Sequence, residues 1–147
     1  VLGRAWYNKL IILLRSMTMP QLMTKEEIHE FGLQILSRYL EANAYEIEMM
    51  HPNMQMFPHV IAKKNGQLVF IIAATDVYPN KGSCADSEKA ALLENAAKFD
   101  EQAACAYLGI ANAAGAKAKD KELCGKAYKD ADFLTDFGGL EFIYFKD

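Results

Sequence analysis

The sequence predicts an α/β (α+β) domain with one mixed sheet flanked by two helices, and three observations predict it. Asn65-Gly66 stands between two apolar runs, the second run is unbroken from Leu68 to Ala74, and a helix-like segment then leads to a further apolar run, ACAYLGIA at 104–111. Asn-Gly tolerates the positive φ values of a two-residue hairpin turn. An unbroken apolar strand is one covered on both faces, hence central in its sheet. A strand–helix–strand order returns the last strand parallel to the first through a right-handed crossover. The sheet is therefore expected to be antiparallel on one side of its central strand and parallel on the other.

The elements follow in order. Thr24-Lys25-Glu26-Glu27 is a capping-box pattern, in which the Thr24 hydroxyl accepts the Glu27 N–H while the Glu27 carboxylate accepts that of Thr24. A helix starts there. Ile28, Phe31, Leu33, Ile35, Leu36, Tyr39 and Leu40 recur mostly at helical spacing, leaving Lys25, Glu26, Glu30 and Arg38 to solvent, and Asn43 is the expected stop. Tyr45, Ile47 and Met49 alternate with Glu46 and Glu48, the period of an edge or half-exposed strand. His51 to Gln55 reads as a loop, Phe57 to Lys63 as the first hairpin arm and Leu68 to Ala74 as the second.

Pro79-Asn80-Lys81-Gly82 marks a turn-rich loop within 76–83, and Ala85 to Gln102 returns to helical chemistry with Ala90, Leu93, Ala96, Ala97 and the Glu94–Lys98 pair. After the 104–111 strand, Lys117, Lys119, Lys121, Lys126 and Lys129 nearly cancel Asp120, Glu122, Asp130 and Asp132. That segment, 112–132, reads as solvated and frayed. FLTDFGGLEFIYF at 133–145 closes the chain as one strand, or a bent pair around Gly138-Gly139, added at a sheet edge.

The 147 residues fit one domain, 24–147, preceded by a tail or leader at 1–23. The apolar run Leu10 to Leu14 between Lys9 and Arg15 is too short to span a bilayer and lacks the pattern of a secretory signal. A net charge of -3 supplies no global field toward nucleic acid or an anionic membrane. Cys84, Cys105 and Cys124 are odd in number and show no CxxC spacing, which fits reduced thiols in a cytoplasm. Cys84 sits in a polar, lysine-bearing loop of the kind that lowers a thiol pKa.

The order helix, strand, hairpin, helix, strand over residues 24–111 resembles the core of the PD-(D/E)xK nuclease superfamily, with its restriction-endonuclease-like αβββαβ fold. In that superfamily a Pro-Asp opens the hairpin's first arm and a Glu-x-Lys closes its second. The matching positions are Pro58-His59 and Ile72-Ala73-Ala74, with Thr75 following. The resemblance implies a divalent cation held by two carboxylates, and a lysine beside the nucleophile. Ile72 and Ala74 can fill neither role, and one imidazole at His59 is no magnesium site. Migrated carboxylates would have to come from Asp76 and Glu27. The patterns TKEEIHEFG, IAKKNGQLVFIIAAT, VYPNKG and GLEFI also resemble a group of small uncharacterised proteins of gut Bacteroidetes, some labelled as a subunit of a sodium-translocating NADH:quinone reductase. A flavin and iron–sulfur subunit needs clustered cysteines and dinucleotide-binding machinery. This chain carries neither, since Gly109 and Gly115 form no GxGxxG motif.

No GxSxG, HExxH or P-loop occurs, and His29, His51 and His59 lack the spacing of a helical metal pair. The sequence thus points to no cofactor, no metal site and no catalytic residue. The leading expectation is a non-catalytic binding or regulatory module on a degenerate nuclease scaffold, with an unknown protein or small ligand as partner. Its expected contact surface is a vestigial cleft drawn from Glu27, His59, Thr75, Asp76, Tyr78, Asn80 and Lys81. Two alternatives stand beside it: a divergent metal-dependent phosphodiesterase using Asp76, a helix glutamate and His59, and nucleic-acid binding without cleavage through Lys63, Lys64, Lys81 and the lysines of 117–129. A homodimer through the sheet edge or the leader is compatible with the same residues.

Overall fold

A computed structural model describes residues 20–145. The apolar run Leu10 to Leu14 lies outside the described residues. Helix α1 spans Lys25–Ala42, β1 Glu46–Met50, β2 Val60–Lys64, β3 Gln67–Val77, α2 Asp86–Lys98 and β4 Gln102–Asn112. Two short helices, α3 at Ala113–Ala118 and α4 at Lys121–Cys124, precede β5 at Phe133–Ile143. The strands form one sheet in the order β1-β2-β3-β4-β5, with β3 and β4 parallel and every other neighbouring pair antiparallel.

The capping box forms as the sequence predicts: the Thr24 hydroxyl accepts the Glu27 N–H at 3.2 Å, and Glu27 accepts that of Thr24 at 3.1 Å. The stop is subtler. Asn43 holds its side chain back on the Tyr39 carbonyl, while Ala44 carries the left-handed turn at φ 65. Asn65 and Gly66, at φ 53 and 80, make the expected two-residue turn. Beside it, the Lys64 ammonium lies over the Tyr45 ring, 4.9 Å from its centroid.

Strand β3 is central and its side chains alternate between two cores. Val69, Ile71 and Ala73 pack with Leu33, Leu36 and Leu40 of α1, together with Val60, Ala62, Ala104, Ala106 and Leu108. Phe70 and Ile72 face Leu92 and Ala96 of α2, with Ala103 and Cys105. The small residues of β4 leave room for a helix on each face.

Three sequence expectations need correction. The first hairpin arm begins only at Val60, so Phe57 to His59 lie in the approach to β2. Helix α2 ends at Lys98, and Gln102 already belongs to β4, paired with Val69. The 112–132 segment is folded. Asn112 is buried and caps α3 by accepting the Ala114 N–H while donating to the Lys126 carbonyl at 2.9 Å. Leu22 bridges Tyr128, and the Met23 N–H donates to the Ala127 carbonyl at 2.8 Å, tying the approach to α1 onto this segment. Alanine and glycine conceal such packing in a sequence, because it rests on close backbone approach.

Candidate functional site

A cleft of about 290 Å³ opens at the carboxyl end of β3. Lys25, Ile28 and His29 of α1 form one wall, and Ser83, Cys84 and Glu88, on the way into α2, form the other. Met54, Phe57 and His59 close it from the loop before β2, and Ile72 to Asp76 make its floor. Two glycines permit these approaches. A Cβ on Gly82 would overlap the Ala74 carbonyl, and one on Gly32 would overlap the Thr75 hydroxyl. Hence the 77–85 loop can lie on the end of β3, and α1 can press against it.

His59 is 4 % exposed, and both of its ring nitrogens are engaged. The Ala73 N–H donates to Nδ1 at 3.0 Å, and Nε2 stands 2.9 Å from the Met54 carbonyl. An acceptor at Nδ1 and a carbonyl at Nε2 admit a single arrangement, the neutral ring protonated on Nε2. Burial pushes the His59 pKa down, against the opposing pull of the Met54 carbonyl. His29, also 4 % exposed, meets His59 edge-on with ring centroids 4.6 Å apart. Its Nε2 is 3.4 Å from the His51 carbonyl, and burial lowers its pKa as well.

His59, Thr75 and Asp76 therefore share one cleft with Ile72 and Ala74. Thr75 Oγ1 is buried there with no hydrogen-bond partner among the described residues, facing the bare backbone of Gly32. The other expected residues lie elsewhere. Glu27 is held by its own cap and by Lys129 at 3.5 Å, and the Thr24 N–H holds its carboxyl below the usual range. Tyr78, Asn80 and Lys81 line a separate depression with Leu134 and Asp136, where Lys81 pairs with Asp136 at 3.5 Å. Lys81 and Lys129, two cations considered for phosphate contact, thus each face a carboxylate.

Sequence reading did not place Lys25, His29 and Glu88 in the cleft, whereas Ser83 closes the 76–83 loop expected there and Cys84 follows it. His29 had a usable signal, since it belongs to the buried stripe His29, Gly32, Leu33, Leu36 and Leu40. Polar and small residues disguised that stripe in an apolar count. Cys84 corrects a second expectation: it packs half-buried against the cluster containing Cys105, whose thiol together with desolvation pushes its pKa up, the reverse of the shift expected from a polar loop.

Among the described residues no three His, Cys, Asp or Glu side chains gather as a metal site, and no helix is long and apolar enough to cross a membrane. Fold and site together define an α+β domain with a five-stranded mixed sheet, helices on both faces, and a cleft at the carboxyl end of its central strand. The chain belongs to the DUF8840 family, described as a domain of unknown function, whose model matches residues 26–143. No curated protein and no solved structure matches it.

Proposed function

We propose that this domain is a non-catalytic binding module on a degenerate nuclease-like scaffold, and that it takes a small molecule in the cleft at the carboxyl end of β3. The observation that carries the reading is the state of His59. At the position matching the nuclease aspartate stands a ring whose two nitrogens are spent on Ala73 and Met54. Such a ring has no lone pair left for a metal or an incoming proton. Ile72 and Ala74 supply neither carboxylate nor ammonium where phosphodiester chemistry calls for both.

A volume of about 290 Å³ lies at the lower end of small-ligand sites. Apolar Ile28, Ile72 and Phe57 would hold the body of the ligand, with Lys25, Asp76 and Ser83 as polar contacts. The test has two arms. Purified protein incubated with magnesium or manganese and with single- or double-stranded nucleic acid is expected to show no cleavage and no metal-dependent rise in Tm. Cleavage that disappears in Asp76→Ala would overturn the non-catalytic reading in favour of a divergent phosphodiesterase. In ligand-observed NMR with a panel of small neutral heterocycles, binders are expected to lose contact with both Ala74→Phe and Ser83→Trp, folding being checked by circular dichroism. Binding undiminished in both variants would refute the cleft as the site.

A further inference from the structure

The cleft at the carboxyl end of β3 has a neighbour. A second hollow of about 360 Å³ adjoins it and shares Phe57, Ile72 and Glu88 with it. Glu88, Ala91, Leu92 and Asn95 recur three and four residues apart, so one stripe of α2 forms the helical side of this hollow. Phe57 and Pro58 form the other side, from the loop before β2. Apart from Ser87, Glu88 and Asn95 the lining is apolar. Ala91 is exposed and small, so the hollow stays open where a longer side chain would fill it. Phe57, 48 % exposed, is held by stacking on the doubly bonded His59, their ring centroids 4.7 Å apart.

Among the described residues three charged side chains line the two hollows: Lys25 on the α1 wall, Asp76 on the floor of the cleft, and Glu88, which alone belongs to both. His29 and His59 are kept neutral by burial. Asp76 accepts the Val77 N–H at 2.7 Å, and Glu88 accepts the Ala85 N–H at 3.3 Å. Among the described residues neither carboxylate meets a cation at ion-pair distance. The balance is one negative charge in excess, and a carboxylate stands where the polar cleft joins the apolar hollow.

Resting on the small-molecule reading of the cleft, we propose that the two hollows are halves of one site and that its ligand is a primary amine carrying an alkyl or aryl group. The apolar group lies between Phe57-Pro58 and α2, and the ammonium lies at the junction against Glu88, with Asp76 adding its field from the floor. An ammonium donates to the carboxylate oxygens and offsets the excess charge. A carboxylate ligand of the same length would bring a like charge to Glu88, and an alcohol would offer only a neutral donor. The apolar hollow gains with each methylene removed from water, by about three- to fourfold in affinity. Glu88 therefore selects the head of the ligand, and the stripe through Ala91 and Leu92 its body.

The experiment titrates the full chain at neutral pH, by ligand-observed NMR, with hexylamine, hexanol, hexanoate and the shorter butylamine. Hexylamine is expected to bind about tenfold more tightly than hexanol, the gain of a charge-assisted hydrogen bond over a neutral one, and hexanoate most weakly. Butylamine should bind about tenfold more weakly than hexylamine, for two methylenes fewer. Glu88→Gln keeps a side chain able to accept the Ala85 N–H and should bring hexylamine down to the level of hexanol. Ala91→Phe, at an exposed position, should erase the gain from chain length while butylamine still binds. Lys25→Met should tighten hexylamine about twofold, and circular dichroism checks the fold of each variant. Hexylamine no tighter than hexanol, a preference that survives Glu88→Gln, or binding undiminished in both Ala74→Phe and Ala91→Phe would overturn the inference. A neutral heterocycle lost in Ala74→Phe but kept in Ala91→Phe would, beside such a failure, leave the cleft itself standing as a ligand site.

Discussion

Protonation of the two buried histidines should destabilise this domain on the acid side of neutrality. The perturbation is a shift from about pH 7 to about pH 5. In the unfolded chain each histidine titrates near its ordinary 6.5. In the fold both are held below that value by burial, and His59 would also have to turn an acceptor nitrogen into a donor facing the Ala73 N–H. Between the depressed folded pKa and 6.5 the unfolded state binds more protons, so stability rises with pH in that window and is lost as pH falls through it. The limiting slope is about 1.4 kcal/mol per pH unit for each ring, which over this interval amounts to at most about 2 kcal/mol per histidine and about 4 kcal/mol for both. Glu27, whose carboxyl is held low by its cap, adds its own loss only below about 4.5. Urea unfolding at several pH values, on wild type and on His59→Gln, measures the slope directly. The variant should show a shallower slope. A profile flat between pH 7 and 5, or one unchanged by His59→Gln, would refute the neutral, doubly bonded imidazole.

Further predictions concern the packing that shapes the cleft. Thr75→Val replaces a buried hydroxyl that has no partner among the described residues with a methyl group of similar size, and should stabilise by about 1 kcal/mol in thermal or urea unfolding. Gly32→Ala should destabilise by about 1–3 kcal/mol despite its better helix propensity, because the new methyl overlaps the Thr75 side chain; Thr75→Ala in the same chain should recover part of the loss. Asn112→Ala removes both the α3 cap and the bond to the Lys126 carbonyl, and about 1–2 kcal/mol should go with it.

Much of the architecture was legible because it rests on period and turn chemistry. The capping box at Thr24, the Asn65-Gly66 turn and the unbroken apolar run of β3 each have a local physical meaning, and each stands where expected. The mixed sheet followed from element order alone. Less legible was whatever depends on close approach. Alanine at 103, 104 and 106 and glycine at 32, 82 and 115 carry little hydropathy, yet they decide how near helices and loops come to the sheet or, at Gly115, to one another. The cleft shows the same divide. His59, Thr75 and Asp76 were found because they stand at the ends of strands that could be located, His59 just before β2 and Thr75 and Asp76 in the last residues of β3. His29 and Glu88 were missed because helix rotation and loop course bring them there. Glu27 was misplaced for the opposite reason: its capping role was read correctly, and a side chain that closes the cap and pairs with Lys129 does not also reach the cleft.

The composition of β4 has a consequence for how this domain can change over generations. Ala103, Ala104, Cys105 and Ala106 are all buried, and they alternate between a core shared with α1 and one shared with α2. Residues this small can scarcely be trimmed, so nearly every accepted replacement is an enlargement, and enlargement in a filled core costs about 1–3 kcal/mol. Drift along this strand therefore proceeds in matched steps, a gain of volume at 104 or 106 answered by a loss on α1, and a gain at 103 or 105 by one on α2. The two helices can thus diverge almost independently, each conversing with its own half of a single strand.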